Sequence, residues 1–310
     1  MSIRLAITRG FMRVVVKPRL RHLTDVPKAR RELERAVSVL FRAPPFTWYR
    51  ETRLAGKIPA LWIEVSPASR PVPADKVLLY LHGGGFVAGS PNTHRKFLAR
   101  LSKLSGTKIC APDYRKAPEN RFPAAVEDCL TAFEALLEQG YAPQNILLGG
   151  DSAGGGLCFS VLGALQKRGL KPAGIVTFSP IVDLRFTSAS FEENRSADPL
   201  LPSERRDLVL DHYLAEGNAS DPAASPILYE FKTPPPVFFQ FSTTEILRDE
   251  SLRMAARLKE VGGQVVLDEW PDAPHVWVIM DGRLPEAREG LRRAAGFIRQ
   301  VLHGGSQGES

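Results

Sequence analysis

A single serine, Ser152, stands among five glycines in the stretch 149–156, directly after the apolar run Ile146-Leu147-Leu148. Glycine loses more backbone freedom on folding than any other residue, so this density marks a conformation that side chains would obstruct. Spacing narrows the choice. A phosphate loop, Gly-x-x-x-x-Gly-Lys, fits Gly150 and Gly155 but finds Gly156 where the lysine belongs. No register supplies the Gly-x-Gly-x-x-Gly of a dinucleotide fingerprint, since Gly154 and Gly156 are followed by Phe159. What remains is Gly150-Asp151-Ser152-Ala153-Gly154. Small residues two before and two after a serine let a strand turn sharply into a helix and lift the hydroxyl clear of the sheet. The N–H groups at the start of that helix could then stabilise negative charge formed at the serine. A plain packing turn would explain the glycines as well, so partners must decide.

Three further stretches supply them. His82-Gly83-Gly84-Gly85 follows the apolar run KVLLYL, and consecutive glycines there let backbone N–H groups converge on one point. With Ala153, Gly83 and Gly84 are the expected oxyanion donors, whereas His82, preceding the serine, reads as a structural hydrogen-bonding residue. A general base is expected late in the chain, after the acid. Of the six histidines, His22 and His212 fall in lid-like segments, His94 opens a helix, and His303 lies at the C-terminal end. His275 remains, in the Pro- and Asp-bearing loop LDEWPDAPHVW just after the last apolar run. The acid that orients it is expected in VFFQFSTTEILRDESLR, where Glu245 lies nearest the strand end. Asp249 and Glu250 fall in the first turn of the next helix, where acids stabilise the N-terminus without chemistry. Asp268, Asp272 and Asp151 are weaker rivals.

The elements that must hold these residues alternate. KVLLYL, TKICAP, NILLGG, AGIVTFS, PVFFQFS and QVVLDEW read as short buried strands, separated by helical stretches such as NTHRKFLARLSKLSG and PAAVEDCLTAFEALLEQG. That alternation predicts an α/β fold: a mostly parallel central sheet with helices on both faces. Its ligand site is expected beyond the carboxyl ends of the strands. FTWYRETRLAGKIPALWIEV reads as an antiparallel edge hairpin around a Gly-Lys turn. Residues 1–45 read as helix and 185–225 as a polar, helix-capable insertion, the two together forming a lid. The catalytic unit then comprises 46–184 and 226–310. The tail HGGSQGES reads as disordered. Neither residues 1–45 nor 185–225 show a long exposed apolar surface, which speaks against long-chain lipid substrates.

Composition excludes several classes. Of 310 residues, 44% are hydrophobic and 24% charged, as in an ordinary globular protein. No apolar run approaches the roughly 20 residues that span a bilayer, and the arginine-broken N-terminus does not resemble a secretory signal. Three widely spaced cysteines, Cys110, Cys129 and Cys158, fit neither a disulfide framework nor metal-ligand spacing. A cytoplasmic setting with buried cysteines, no metal and no cofactor is expected. The net charge of +7 is local: residues 1–42 hold eleven Lys/Arg and three Asp/Glu, leaving the remainder near neutral. A charged outer helix face accounts for it, and the aromatic–basic interleaving of a nucleic-acid binder is absent. The last strand, an expected sheet edge, would be the place for a homodimer contact.

In the order HGGGF, DYRKAPENRFPAAVED, GDSAGG, EILRDE and PHVW, these motifs resemble the hormone-sensitive-lipase family of bacterial esterases, a branch of the alpha/beta-hydrolases. The resemblance spans residues 82–277. It implies the alpha/beta-hydrolase fold with a helical cap, and a carboxylesterase acting on short- to medium-chain esters through an acyl-enzyme. The family's acid motif is Asp-Pro-Leu-Arg-Asp-Glu; here Glu245 and Ile246 replace its first two residues. The resemblance implies Ser152, Glu245 and His275 as the triad, and Gly83, Gly84 and Ala153 as the oxyanion hole. Asp113, Arg115 and Glu119 are expected to brace a loop as ion pairs. Lactone or amide hydrolysis would use the same groups. Plant gibberellin receptors, which keep the fold as a binding module, lack a working histidine.

Overall fold

The computed structural model describes residues 1–40, 42–66, 72–214 and 218–304; of the tail expected to be disordered, His303 instead ends a helix, and 305–310 lie outside the described residues. All six apolar runs are strands of one sheet. They are β3 (Val77–Leu81), β4 (Lys108–Pro112), β5 (Ile146–Asp151), β6 (Gly174–Phe178), β7 (Val237–Ser242) and β8 (Val265–Trp270). The hairpin supplies β1 (Thr47–Leu54) and β2 (Ile58–Val65), paired antiparallel from Thr47↔Val65 to Leu54↔Ile58. The order is β1-β2-β4-β3-β5-β6-β7-β8, with β2 antiparallel to β4 and every later pair parallel. β3, β5, β6 and β7 are buried along their whole lengths, which is why they read as unbroken apolar runs rather than alternating ones.

Helices cover both faces. α5 (Ala124–Glu138), α6 (Ala153–Gln166) and α9 (Arg248–Glu260) pack with β3, β5 and β7 in one apolar core. α4 (Pro91–Ser105) and α10 (Pro285–His303) close the other, around Trp277 and Phe178. The three cysteines are buried and unpaired.

The N-terminal segment is helical: α1 (Ile3–Phe11) runs through a wider π turn, Met12–Val16, into α2 (Lys17–Arg21), and α3 (Val26–Leu40) follows. Among its described residues the insertion contributes only short pieces, α7 (Ser190–Glu193) and α8 (Arg206–Val209) among them. The two segments meet: Lys17 Nζ donates to the carbonyls of Arg195 and Asp198, both at 2.8 Å, and Arg21 pairs with Glu204 at 3.1 Å. The expected brace is differently wired. Asp113 pairs with Lys116, Arg115 with Asp128 and Glu127, and Glu119 with Arg30 of α3. Arg115 and Glu119 thus reach α5 and α3 rather than each other, while Asp113 pairs within its own loop.

Candidate active site

β3 runs between β4 and β5, so the loops leaving β3 and β5 diverge at their carboxyl ends, where an open sheet of this kind receives its ligand. Ser152 sits there with φ 52° and ψ −121°, a conformation costing on the order of 1–3 kcal/mol for a residue with a side chain. The neighbouring glycines show what enforces it. A Cβ on Gly154 would lie 2.0 Å from the carbonyl oxygen of Leu81, and one on Gly150 would lie 2.5 Å from the Gly154 backbone. Strand end, turn and helix are interlocked with β3, and the Ser152 N–H is anchored to Phe178 O at 2.8 Å.

Asp151, beside the serine, points away into a buried network. Its Oδ1 accepts from Tyr80 Oη at 2.9 Å and from the Gly83 N–H at 3.0 Å, and His94 Nε2 lies 3.2 Å from it. The carboxylate fills the place a Cβ of Gly83 would take. This corrects one expectation: the Gly83 amide holds the glycine loop to Asp151 and is not free for an oxyanion. Among the described residues, the amides of Gly84, Gly85 and Ala153 have no protein acceptor. His82 is fully buried, stacked on Tyr114 at 4.2 Å, with Nδ1 2.9 Å from Gly83 O. Burial, reinforced by Lys116, holds its pKa well below the ordinary histidine value, so it stays neutral.

His275 and Glu245 meet across the ends of β8 and β7. Nδ1 of His275 lies 2.6 Å from Oε2 of Glu245, which is wholly buried. The other carboxylate oxygen accepts from Ser179 Oγ and from the Ser242 N–H, each at 2.8 Å. Burial alone would lower the His275 pKa; the hydrogen bond and charge of Glu245, with Asp198 and Asp151 beyond, outweigh it and raise the pKa. Nε2 of His275 is buried and has no hydrogen-bond partner. The rival acids are engaged elsewhere. Asp249 accepts from the Ser190 N–H and Arg248, Glu250 from the amides of Val182 and Asp183, Asp268 pairs with Arg293, and Asp272 with Arg9. Among the described residues no group of three His, Cys, Asp or Glu side chains could hold a metal ion.

The match to known proteins runs through this same frame. A family model described as alpha/beta hydrolase fold matches residues 78–279. The crystal structure of an esterase from the bacterial hormone-sensitive lipase family superposes with a TM-score of 0.89 at 34% identity, covering 97% of this chain and 99% of that one. The chain belongs to the hormone-sensitive-lipase family. Relatives of this family member include an acetyl-hydrolase of Streptomyces hygroscopicus, 38% identical over 74% of this chain and 78% of the relative. An esterase of Acinetobacter venetianus is 30% identical over 90% and 91%. This hormone-sensitive-lipase homologue is a carboxylic ester hydrolase.

Three residues of this hydrolase escaped sequence reasoning. Asn194 donates to the carbonyls of Thr243 and Glu245 at 2.9 and 2.8 Å. Asp198, fully buried, accepts from the Ile246 N–H at 3.0 Å while its other oxygen takes the amides of Leu200 and Leu201. Ser179, after β6 with φ 50°, ties Glu245 to the amide of Val276. The insertion thus holds the turn that carries Glu245. A polar residue in a polar insertion gives no sign of a contact made 50 residues away; the only signal was the Asn194…Asp198 pair preceding an apolar Pro-Leu-Leu.

Proposed function

We propose that the chain hydrolyses short-chain carboxylic esters by double displacement through an acyl-Ser152 intermediate. The observation that carries the reading is the Glu245–His275 pair, 2.6 Å apart, with Nε2 of the histidine buried and unpartnered. Glu245 holds the proton on Nδ1, leaving Nε2 as the acceptor for the serine proton. Ser152 Oγ attacks the ester carbonyl, and its proton passes to Nε2. The carbonyl oxygen becomes an oxyanion received by the N–H groups of Gly84, Gly85 and Ala153, each such donor contributing on the order of 3 kcal/mol to the transition state. Collapse expels the alkoxide, which takes the proton from Nε2 and leaves as alcohol. Water then repeats the sequence on the acyl-serine and releases the acid. Resting serine and histidine are not hydrogen-bonded to each other here; such bonds commonly tighten with substrate.

The preference for short acyl groups is supported by what stands beside the glycine loop. Phe86 stacks on Tyr213 of the insertion with ring centres 4.0 Å apart, and Phe122 meets the same tyrosine edge-on at 5.9 Å. On this reading these aromatics narrow the space beside the glycine loop, and the Streptomyces relative is an acetyl-hydrolase. In this reading residues 1–45 and 185–225 act together as the cap. The test is hydrolysis of p-nitrophenyl acetate, butyrate and octanoate by wild type and Ser152→Ala, with intact-mass detection of the acyl adduct. Turnover that falls with chain length and disappears with the serine is expected. Turnover by folded Ser152→Ala, or no adduct during wild-type turnover, would remove the acyl-serine. A folded wild type inert on all three esters would direct attention to lactones, amides or simple ligand binding.

A further inference from the structure

The first helix carries an apolar face that nothing covers. Ile3, Ile7, Phe11 and Val14 recur at helical spacing and are 81, 68, 57 and 74% exposed, while Leu5 on the opposite side is 1% exposed and anchors the helix among core residues. Sequence reading gave residues 1–45 no long exposed apolar surface, and the structure overturns that. Apolar stripes of this kind mark contact surfaces rather than ordinary solvent-facing helix.

Charge identifies what covers it. Arg4 and Arg13 are exposed on the same helix, and residues 1–42 carry eleven Lys/Arg against three Asp/Glu. One turn beyond Val14, a cavity of about 460 Å³ opens between this helix and the insertion, lined by Arg13, Lys17, Arg21 and Arg195 with Glu192 its only carboxylate. Glu204 is shared by Arg21 and Arg195, whereas Lys17 is 7% exposed and hydrogen-bonds only to two carbonyls. An apolar face beside a cationic recess has the chemistry of an interfacial helix on an anionic lipid surface. A second copy of the chain fits worse, because a two-fold contact sets a surface patch against itself and would bring these like charges together.

We propose that residues 3–21 dock this hydrolase on anionic lipid surfaces, with Ile3, Ile7, Phe11 and Val14 in the acyl boundary and the Arg13–Lys17–Arg21–Arg195 recess at the phosphate headgroups. No helix among the described residues is long and apolar enough to cross a membrane, so docking is peripheral. The helix also bears on the catalytic loop: Arg9 pairs with Asp272 at 2.9 Å, three residues before His275.

The test uses the full chain with vesicles of phosphatidylcholine alone and of phosphatidylcholine mixed with phosphatidylglycerol, read by co-sedimentation. Binding is expected only to the anionic vesicles, weakening as salt rises. Ile7→Glu/Phe11→Glu should cut the partition coefficient at least about tenfold, since two exposed apolar contacts become charged. Arg13→Gln/Arg195→Gln should weaken it and flatten the salt dependence. Ile7 and Phe11 are 68 and 57% exposed, so the Glu variants are expected to keep wild-type turnover of a soluble ester. No wild-type binding to anionic vesicles, or binding untouched by the Glu pair, would overturn the proposal. So would a wild-type dimer that the Glu pair dissociates, since the face would then belong to a second copy.

Discussion

Replacing Glu245 by glutamine leaves the shape of the acid and removes its charge, and the hydrogen bonds around it dictate the consequence. Oε1 accepts two hydrogen bonds, from Ser179 Oγ and the Ser242 N–H, while Oε2 faces His275 Nδ1. In glutamine the remaining oxygen stays with the two donors, so the amide NH2 turns to the imidazole. Nδ1 must then accept, the ring proton moves to Nε2, and the base can no longer take a proton from Ser152. A wrong tautomer of this kind costs about 10⁴-fold in kcat, or about 5.5 kcal/mol of barrier. Glu245→Asp behaves differently. Withdrawing the carboxylate by one methylene, about 1.5 Å, stretches the 2.6 Å contact beyond hydrogen-bond range. The lost charge-assisted bond is worth about 1.5–3 kcal/mol, so kcat falls roughly 10–150-fold. Steady-state hydrolysis of p-nitrophenyl acetate, with folding checked by circular dichroism, reads both. Asp249→Asn is the control: Asp249 is held by Ser190 and Arg248, and kcat should stay within about threefold of wild type. A folded Glu245→Gln that keeps more than about a tenth of wild-type kcat, or an Asp249→Asn that loses most of it, would refute the assignment of the acid.

Other outcomes follow from the same contacts. Because Glu245 raises the His275 pKa, and only the neutral ring accepts a proton, kcat/KM should rise with pH through a midpoint above the ordinary 6.5; a midpoint at or below that value in a full pH–rate profile contradicts the pairing. Asn194→Ala removes two bonds to the acid-bearing turn, so kcat should drop about tenfold with KM little changed. If Asn194 only stabilises the fold, its variant will show a lower Tm and normal kcat per folded molecule. Gly154→Ala pushes a methyl group against Leu81 O, 2.0 Å away, and should destabilise by about 3 kcal/mol in urea titration; a loss below about 1 kcal/mol would mean the elbow relaxes freely.

The strands were legible because β3, β5, β6 and β7 are buried throughout and carry apolar runs, while β4 and β8 keep shorter ones, Ile109-Cys110-Ala111 and Val265-Val266-Leu267. Ser152, His275 and Glu245 were legible because each follows such a run at a strand's carboxyl end. What sequence left hidden were contacts made at a distance. Whether the Gly83 amide is free depends on Asp151, 68 residues later, and the hold on Glu245 comes from Asn194 and Asp198 in a segment with no strong period. The Ile3–Ile7–Phe11 spacing is visible in the sequence, but periodicity alone cannot say which face of a two-sided helix turns inward. Leu5 decides that, by reaching the core on the α4–α10 face of the sheet.

The strand order carries one more consequence. The glycine loop leaves β3 on one side of the Ser152 elbow, while Glu245 and His275 leave β7 and β8 on the other. On the proposed mechanism, a carbonyl bound over the serine would send its oxygen toward β3 and its departing oxygen toward β8. Only one of the two faces of the planar ester can then meet Oγ, so the tetrahedral adduct forms with a single handedness. Swapping the substituents of a chiral acid would then exchange their surroundings in the site, so mirror-image esters are expected to react at different rates.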